Sequence, residues 1–427
     1  MRTDRASAPS AKPLVPNFDA VIIGGGLAGI ACAVELSRSG ASFLLLEASD
    51  HLGGRVRTDE VDGFCLDRGF QTLLTSYPEA SRALNYPELE LGYFRSGLIL
   101  RSGGRFHKLA DPWRNVAEAV PALFSAAGTF ADKLRLGRLR ARVCSGSVEE
   151  IFQRPNTTTI AALERAGFSS TMIESFFRPF LNGIFLESEL VTSSRKFEFV
   201  FRMLALGQAA LPARGMEAIP RQMAATLPKG SARINARVAA VEAGRVRMQA
   251  GEVIESKHIV LATAEPDAAR LLGRETPRIW CSAACVYFDV AEPPVRGPWL
   301  VFNGGDGGPV NTLCVPSEAC PEYAPAGTSL LCATVAGNPS IPDADLEATV
   351  RAQLTDWYGP QVAEWQTLRI YRIPYALPLQ QPRDLEPVIK PSRIAGGLYV
   401  CGDYTGIASI QGAMASGRRA ANAILQA

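Results

Sequence analysis

The sequence predicts an α/β fold in two interleaved parts: a Rossmann-like part assembled from discontinuous segments, and an α+β part inserted between them. Three observations predict it. Asp19 to Glu47 reads as strand, glycine loop, helix and strand, which is the make-up of one βαβ unit. The texture then changes: helical periodicity dominates from Tyr77 to about Gly207, short strands return from Ser231 to Ala262, and strand-like runs with Pro/Gly-rich loops fill Ile279 to Tyr375. Finally, Gly397–Cys401 reads as a strand entering a glycine turn, and Ile410–Leu425 as a closing helix. At 427 residues the chain is too long for one simple domain.

Each element has a local reason. Asp19-Ala-Val-Ile-Ile is short, β-branched and ended by glycine, as a buried strand is. Leu27 to Ser39 holds helix formers with an apolar stripe, and Gly40 suits a C-cap. Ser42–Glu47 is a second buried strand. Helices are expected at Trp113–Phe130, Ser147–Phe152, Thr159–Ala166, Thr171–Phe177 and Arg195–Leu206. A hairpin is expected over Gly97–Leu109, turning at Ser102-Gly103-Gly104. Further strands are expected at Ala232–Val238, Arg245–Gln249 and Ile259–Ala262. These textures divide the chain into a tail (1–18), a nucleotide-binding domain (19–76, 208–275 and 388–427) and a substrate domain (77–207 and 276–387).

Composition removes several functions. A net charge of +2 argues against nucleic acid as a partner, since phosphate backbones select strongly basic faces. Three scattered histidines make neither a metal site nor a proteolytic triad. Nine cysteines without a C-x-x-C motif read as reduced thiols of a cytoplasmic protein. No apolar run has the character of a membrane span, because the longest, Ala20–Val34, is broken by patterned glycines. Peripheral membrane contact stays open through the basic stretch Lys133, Arg135, Arg138, Arg140 and Arg142, which a solvated helix face explains more simply.

The chemistry sits in Gly24-Gly25-Gly26-Leu27-Ala28-Gly29, a G-x-G-x-x-G that follows a strand and opens a helix, with Glu47 ending the next strand. Gly24 permits a sharp turn, Gly26 lets a pyrophosphate approach the backbone, and Gly29 lets helix and strand pack closely. The helix N-terminus offers free N–H groups to phosphates. Glu47 can accept ribose hydroxyls and would repel a 2′-phosphate. After it, Gly53-Gly54-Arg55 would bring close backbone and a permanent cation to the diphosphate.

The run from Asp19 to Thr58 resembles the N-terminal fingerprint of the flavin-containing amine oxidase superfamily, which includes monoamine oxidases, protoporphyrinogen oxidases and phytoene desaturases. Gly397–Asp403 followed by Ser409–Gly417 is similar to that family's C-terminal FAD motif. Fainter likenesses lie at Leu66–Gln71, Phe176–Gly183 and Leu211–Met216. The resemblance implies a non-covalent FAD. Its pyrophosphate would lie on Gly24, Gly26, Leu27, Ala28 and Gly29, its ribose on Glu47, and its phosphates on Gly54 and Arg55. Gly69, Phe70 and Gln71 would approach the isoalloxazine, and the Val238 backbone the adenine. Gly402 and Asp403 would hold the ribityl side, and Ile410 and Gln411 the pyrimidine end, where the last helix's dipole favours negative charge.

The implied activity is hydride removal from an apolar or cyclic small molecule at C–C or C–N, with O2 or a quinone as acceptor. One departure matters. Amine oxidases of the family carry a lysine on a substrate-domain strand near the flavin, and Pro277–Tyr287 has none. An isomerase or mutase without net redox change, and an amine oxidase lacking that lysine, are the alternatives. Tyr375 and Gln380 are candidate pocket residues, as are the aromatics Trp280, Tyr287, Phe288, Trp299 and Phe302, which could equally be sheet core.

Overall fold

In a computed structural model, residues 18–111, 113–114, 128–242, 244–275 and 278–427 are described. The chain is mixed α/β, built on two large sheets. In the eight-stranded sheet, Phe18–Ile23 lies parallel between Phe43–Leu46 and Val253–Leu261, with Ile23 level with Leu46 and Leu261. Ala232–Arg233 extends one side, and Leu398–Val400 pairs parallel with the far end of Val253–Leu261. Central parallel strands are covered on both faces, which is why their sequences are unbroken apolar runs. On one face the helices Leu27–Arg38 and Ile410–Leu425 pack together so closely that a Cβ on Gly417 would lie 2.0 Å from the Ala28 carbonyl oxygen.

The seven-stranded sheet runs Gln366–Pro378, Trp280–Val290, Ser329–Ala336, Val310–Cys314, Val301–Asn303, Gly97–Ser102 and Arg105–Ala110. Strand periodicity sorts its side chains. Ala284, Val286 and Phe288 face a core completed by Leu346, Val350 and Leu354 of the helix Asp343–Tyr358. Cys285 and Tyr287 point the other way, toward the first sheet and the helical segments. Cys285 therefore meets the loop after Asp67, accepting the Phe70 N–H at 3.4 Å.

Most predicted elements stand within a residue or two of their expected limits, including the 97–110 hairpin and the helices at 148–153, 159–165 and 194–206. Two expectations change. The strand Ala232–Val238 is two strands, Ala232–Arg233 and Val238–Glu242. Between them Asn235 takes φ 53°, and Asn235 and Ala236 donate to the Ser49 and Glu47 carbonyls, so the chain follows the end of a neighbouring strand instead of continuing its own. The helix expected to stop at Phe177 runs on to Phe185, widening over Ile173–Phe177 just before Pro179. Such wider turns are rare and occur mostly as single-turn bulges inside helices. The helix at Trp113–Phe130 falls largely outside the described residues. A helix does run from Phe130 to Cys144, opened by a reciprocal cap between Thr129 and Asp132.

Asp67 joins the parts. It is 3% exposed, and its carboxylate accepts from Thr58 Oγ1 at 2.5 Å, the Met216 N–H at 2.9 Å and Tyr323 Oη at 2.9 Å. Burial pushes its carboxyl up to about 6, from an ordinary 3.8. Because the folded form holds the proton more tightly, this group's stabilising contribution is full below about pH 4 and is lost as pH rises through about 6. The loss is on the order of 3 kcal/mol. Thermal melts from pH 4 to 7 are expected to show that fall in wild type and not in Asp67→Asn.

Candidate active site

The glycine loop joins Phe18–Ile23 to Leu27–Arg38, and the two ends of its motif serve different purposes. A Cβ on Gly29 would lie 1.9 Å from the Gly24 carbonyl oxygen, so helix and loop touch there. A Cβ on Gly26 would meet nothing nearer than the Gly54 Cα at 3.9 Å, because it points into open space. Gly26 is also the N-cap of the helix, and no side chain among the described residues caps its first N–H groups. Gly53 and Gly54 lie alongside, fixed by the Gly53 N–H on the Gly25 carbonyl at 2.7 Å. Free N–H groups at an uncapped helix start, facing a cradle that a side chain would fill, fit the diphosphate of a dinucleotide.

Glu47 closes this end. Its carboxylate accepts the Gly25 N–H at 2.7 Å and the Ser49 N–H at 2.8 Å, which holds it at the strand end with lone pairs to spare. Arg55 ties three segments. It pairs with Asp403 at 2.7 Å, donates to the Ala376 carbonyl at 2.9 Å, and lies over the Trp280 ring at 5.4 Å. The Gln71 amide donates to the Arg55 carbonyl at 2.9 Å.

Gly24, Gly26, Leu27, Ala28, Glu47, Gly54, Arg55, Gly69, Phe70, Gln71, Val238, Asp403 and Ile410 all line one cavity of about 930 Å³. That is at the upper end for ligand pockets, about 300–1,000 Å³. Three residues proposed from sequence are not on its wall. Gly29 is spent on the helix–loop contact. Gly402 donates its N–H to Ser416 Oγ at 2.9 Å and fixes the turn before Asp403. Gln411 caps the helix Pro78–Ala83, its Oε1 accepting the Glu79 N–H at 2.7 Å. Of the other candidates, Tyr375 and Phe302 line the cavity. Gln380 is buried beneath it, gripping the Gly406 carbonyl at 2.7 Å and the Ala408 N–H at 2.9 Å. Tyr287, Phe288 and Trp299 are packed in the core.

Beyond the glycine cradle the wall turns apolar, with Leu74, Tyr77, Phe180, Ile184, Val200, Leu204 and Leu300. Phe180 and Ile184 come from the helix that runs past Phe177. The rim is polar: Arg68 grips Asp59 with two bonds of 2.8 and 2.9 Å, and Tyr371 Oη donates to Asp59 at 2.7 Å.

Lys196 is the residue that sequence reasoning missed. The strand Trp280–Val290 has no lysine, yet a lysine reaches the cavity wall from the helix Ser194–Leu206. It is 1% exposed, and burial lowers its ammonium to about 8. The signal was present: Lys196, Phe199, Val200 and Met203 fall on one helical stripe, so a lysine stands where an apolar residue is expected.

Residues 27–425 match the family of flavin-containing amine oxidoreductases. The chain belongs to that family. Membership makes it an oxidoreductase and implies a flavin. Among curated relatives, coproporphyrinogen III oxidase of Mycobacterium tuberculosis is 24% identical over 297 residues, 61% of this chain and 62% of the relative. Coproporphyrinogen III oxidase of Propionibacterium freudenreichii is 34% identical over 113 residues, 24% of this chain and 20% of the relative. The chain thus spans between a fifth and about three-fifths of these relatives.

Solved structures align nearly end to end. A candidate protoporphyrinogen oxidase from Exiguobacterium sp. 255-15 has a TM-score of 0.74 at 19% identity, covering 96% of this chain and 99% of that one. Putrescine oxidase bound to putrescine has 0.71 at 18%, covering 96% and 99%. Reduced UDP-galactopyranose mutase has 0.71 at 16%, covering 96% of each. At these identities the likeness speaks for the fold. Among the described residues, no helix is long and apolar enough to cross a membrane.

Proposed function

We propose that this amine oxidoreductase family member binds one FAD non-covalently and uses it to take hydride from an apolar or cyclic organic substrate, at a C–C or C–N bond. One observation carries the reading: a single cavity runs from the uncapped helix start at Gly26 to an apolar chamber bounded by Phe180, Ile184 and Leu300. A dinucleotide cradle and a water-poor chamber in one space are what flavin-dependent dehydrogenation needs from a protein.

When bound, FAD supplies the electron sink. The chain's residues supply the rest. Gly24, Gly26, Leu27 and Ala28 would receive the diphosphate with Gly54 and Arg55, Glu47 the ribose, and Val238 the adenine. Gly69, Phe70 and Gln71 would approach the ring, Asp403 would hold the ribityl side, and Ile410 would stand at the pyrimidine end. The apolar wall excludes water and orients the substrate. Non-covalent binding is supported by the cysteines: Cys401 is fully buried off the wall, and the Cys285 thiol is pushed up by its neighbour Cys332 and by burial. All nine cysteines are free, in keeping with the cytoplasm. The domain division read from the sequence is proposed with it, the nucleotide part being 19–76, 208–275 and 388–427.

Anaerobic mixing with a porphyrinogen, a polyene and a cyclic amine tests the activity. Bleaching of the visible flavin band by one of them, reversed by O2 or a quinone, is expected. Turnover only after prior reduction, with no acceptor consumed, would overturn dehydrogenation in favour of an isomerase. Glu47→Ala is expected to weaken FAD binding by about 1–3 kcal/mol, read by titrating apoprotein with FAD.

A further inference from the structure

Lys196 is a buried cation without a counter-ion. Its ammonium forms no hydrogen bond or ion pair with any described residue, and it lies 5.3 Å from the centre of the Phe185 ring. The cavity wall offers four carboxylates, and all four are committed. Glu47 holds two backbone N–H groups, Asp59 holds Arg68, Asp267 holds Arg270 at 3.5 Å, and Asp403 holds Arg55. The acids whose charge reaches Lys196, Asp403 and Glu187, act on it only through space, as does the Cys281 thiol.

A lone ammonium at 1% exposure is costly to keep and adds nothing to packing that methionine would not supply. It becomes favourable when an anion enters the chamber, since a charge pair is strongest where water is excluded. The diphosphate of the cofactor is matched elsewhere, at the helix start and Arg55. Beside Phe185, the same cavity wall carries Ile184, Leu186 and Val200, which suit hydrocarbon.

We infer that Lys196 binds a carboxylate carried by an otherwise apolar substrate, and so sets substrate specificity. This rests on the proposed function, since it names the class of molecule that enters the same chamber. Lys196 is a binding residue here, and hydride transfer needs nothing from it.

The test uses the purified protein with its cofactor and three probes, benzoate, cinnamate and 4-phenylbutyrate, each against its neutral amide. Binding is read both by perturbation of the flavin spectrum and by calorimetry, which needs no chromophore. At least one carboxylate is expected to bind more than tenfold tighter than its amide. Its affinity is expected to fall as pH rises above about 8, where the ammonium of the free protein loses its proton. Lys196→Met should erase the preference for carboxylate and flatten the pH profile while leaving amide binding and FAD content unchanged. Lys196→Arg should keep the preference.

Equal binding of acid and amide in the wild type, no binding of any carboxylate, or an undiminished preference in Lys196→Met would each overturn the inference. So would a Lys196→Met variant whose flavin midpoint potential shifts while carboxylate binding stays as it was, because the ammonium would then serve the cofactor. Colourless wild-type protein that still binds carboxylate through Lys196 by calorimetry would sink the flavin reading and leave this one standing.

Discussion

Gly26→Val is expected to give a folded, colourless protein. A Cβ there enters open space, so the apoprotein loses little. Gly26 already has φ −74° and ψ 178°, a conformation valine accepts readily, and the cost of valine at an N-cap is about 1 kcal/mol. The ligand pays instead, because the methyls occupy the space into which the free N–H groups point. Loss of FAD should be near complete, with a melting temperature close to that of wild-type apoprotein. Absorbance and calorimetry of the same sample check both halves. Full yellow occupancy would remove the glycine loop from the cofactor site.

Gly417→Val should do the opposite and fail as a fold. Gly417 faces the backbone of the first helix, where a Cβ would lie 2.0 Å from the Ala28 carbonyl oxygen and 2.9 Å from the Cys32 nitrogen. Neither atom can step aside, since both belong to a helix wedged against the eight-stranded sheet. Overpacking of this kind typically costs about 1–3 kcal/mol, and more where backbone atoms would have to move. Little soluble protein, or a melt well below wild type that added FAD does not restore, is expected. A stable, yellow variant would mean that the two helices are not in contact as described.

The contrast shows what the sequence could carry. The glycine spacing near the amino end announced a strand–loop–helix, and its mechanical demands are local, so it was legible from pattern alone. The C-terminal strand and helix were legible for the same reason. Asn235 was not, because the break after Arg233 comes from hydrogen bonds to Glu47 and Ser49, far away in sequence. Gln411 and Glu79 lie 332 residues apart, so no reading of the last helix alone could have told that this side chain caps another one. Lys196 was not legible because it reaches the cavity from the helix Ser194–Leu206 instead of the strand Trp280–Val290. The cavity takes walls from helices and both sheets, and a residue's place on it depends on packing that periodicity only hints at.

The central proposal is that the cradle at Gly26 and the turn at Asp403 belong to one FAD site. The most direct measurement is the absorbance spectrum of the purified protein, followed by denaturation and identification of what is released. One FAD per chain, freed into the supernatant, is expected. A protein that is folded and colourless, that takes up no added FAD, or whose flavin stays attached to the denatured chain would contradict it.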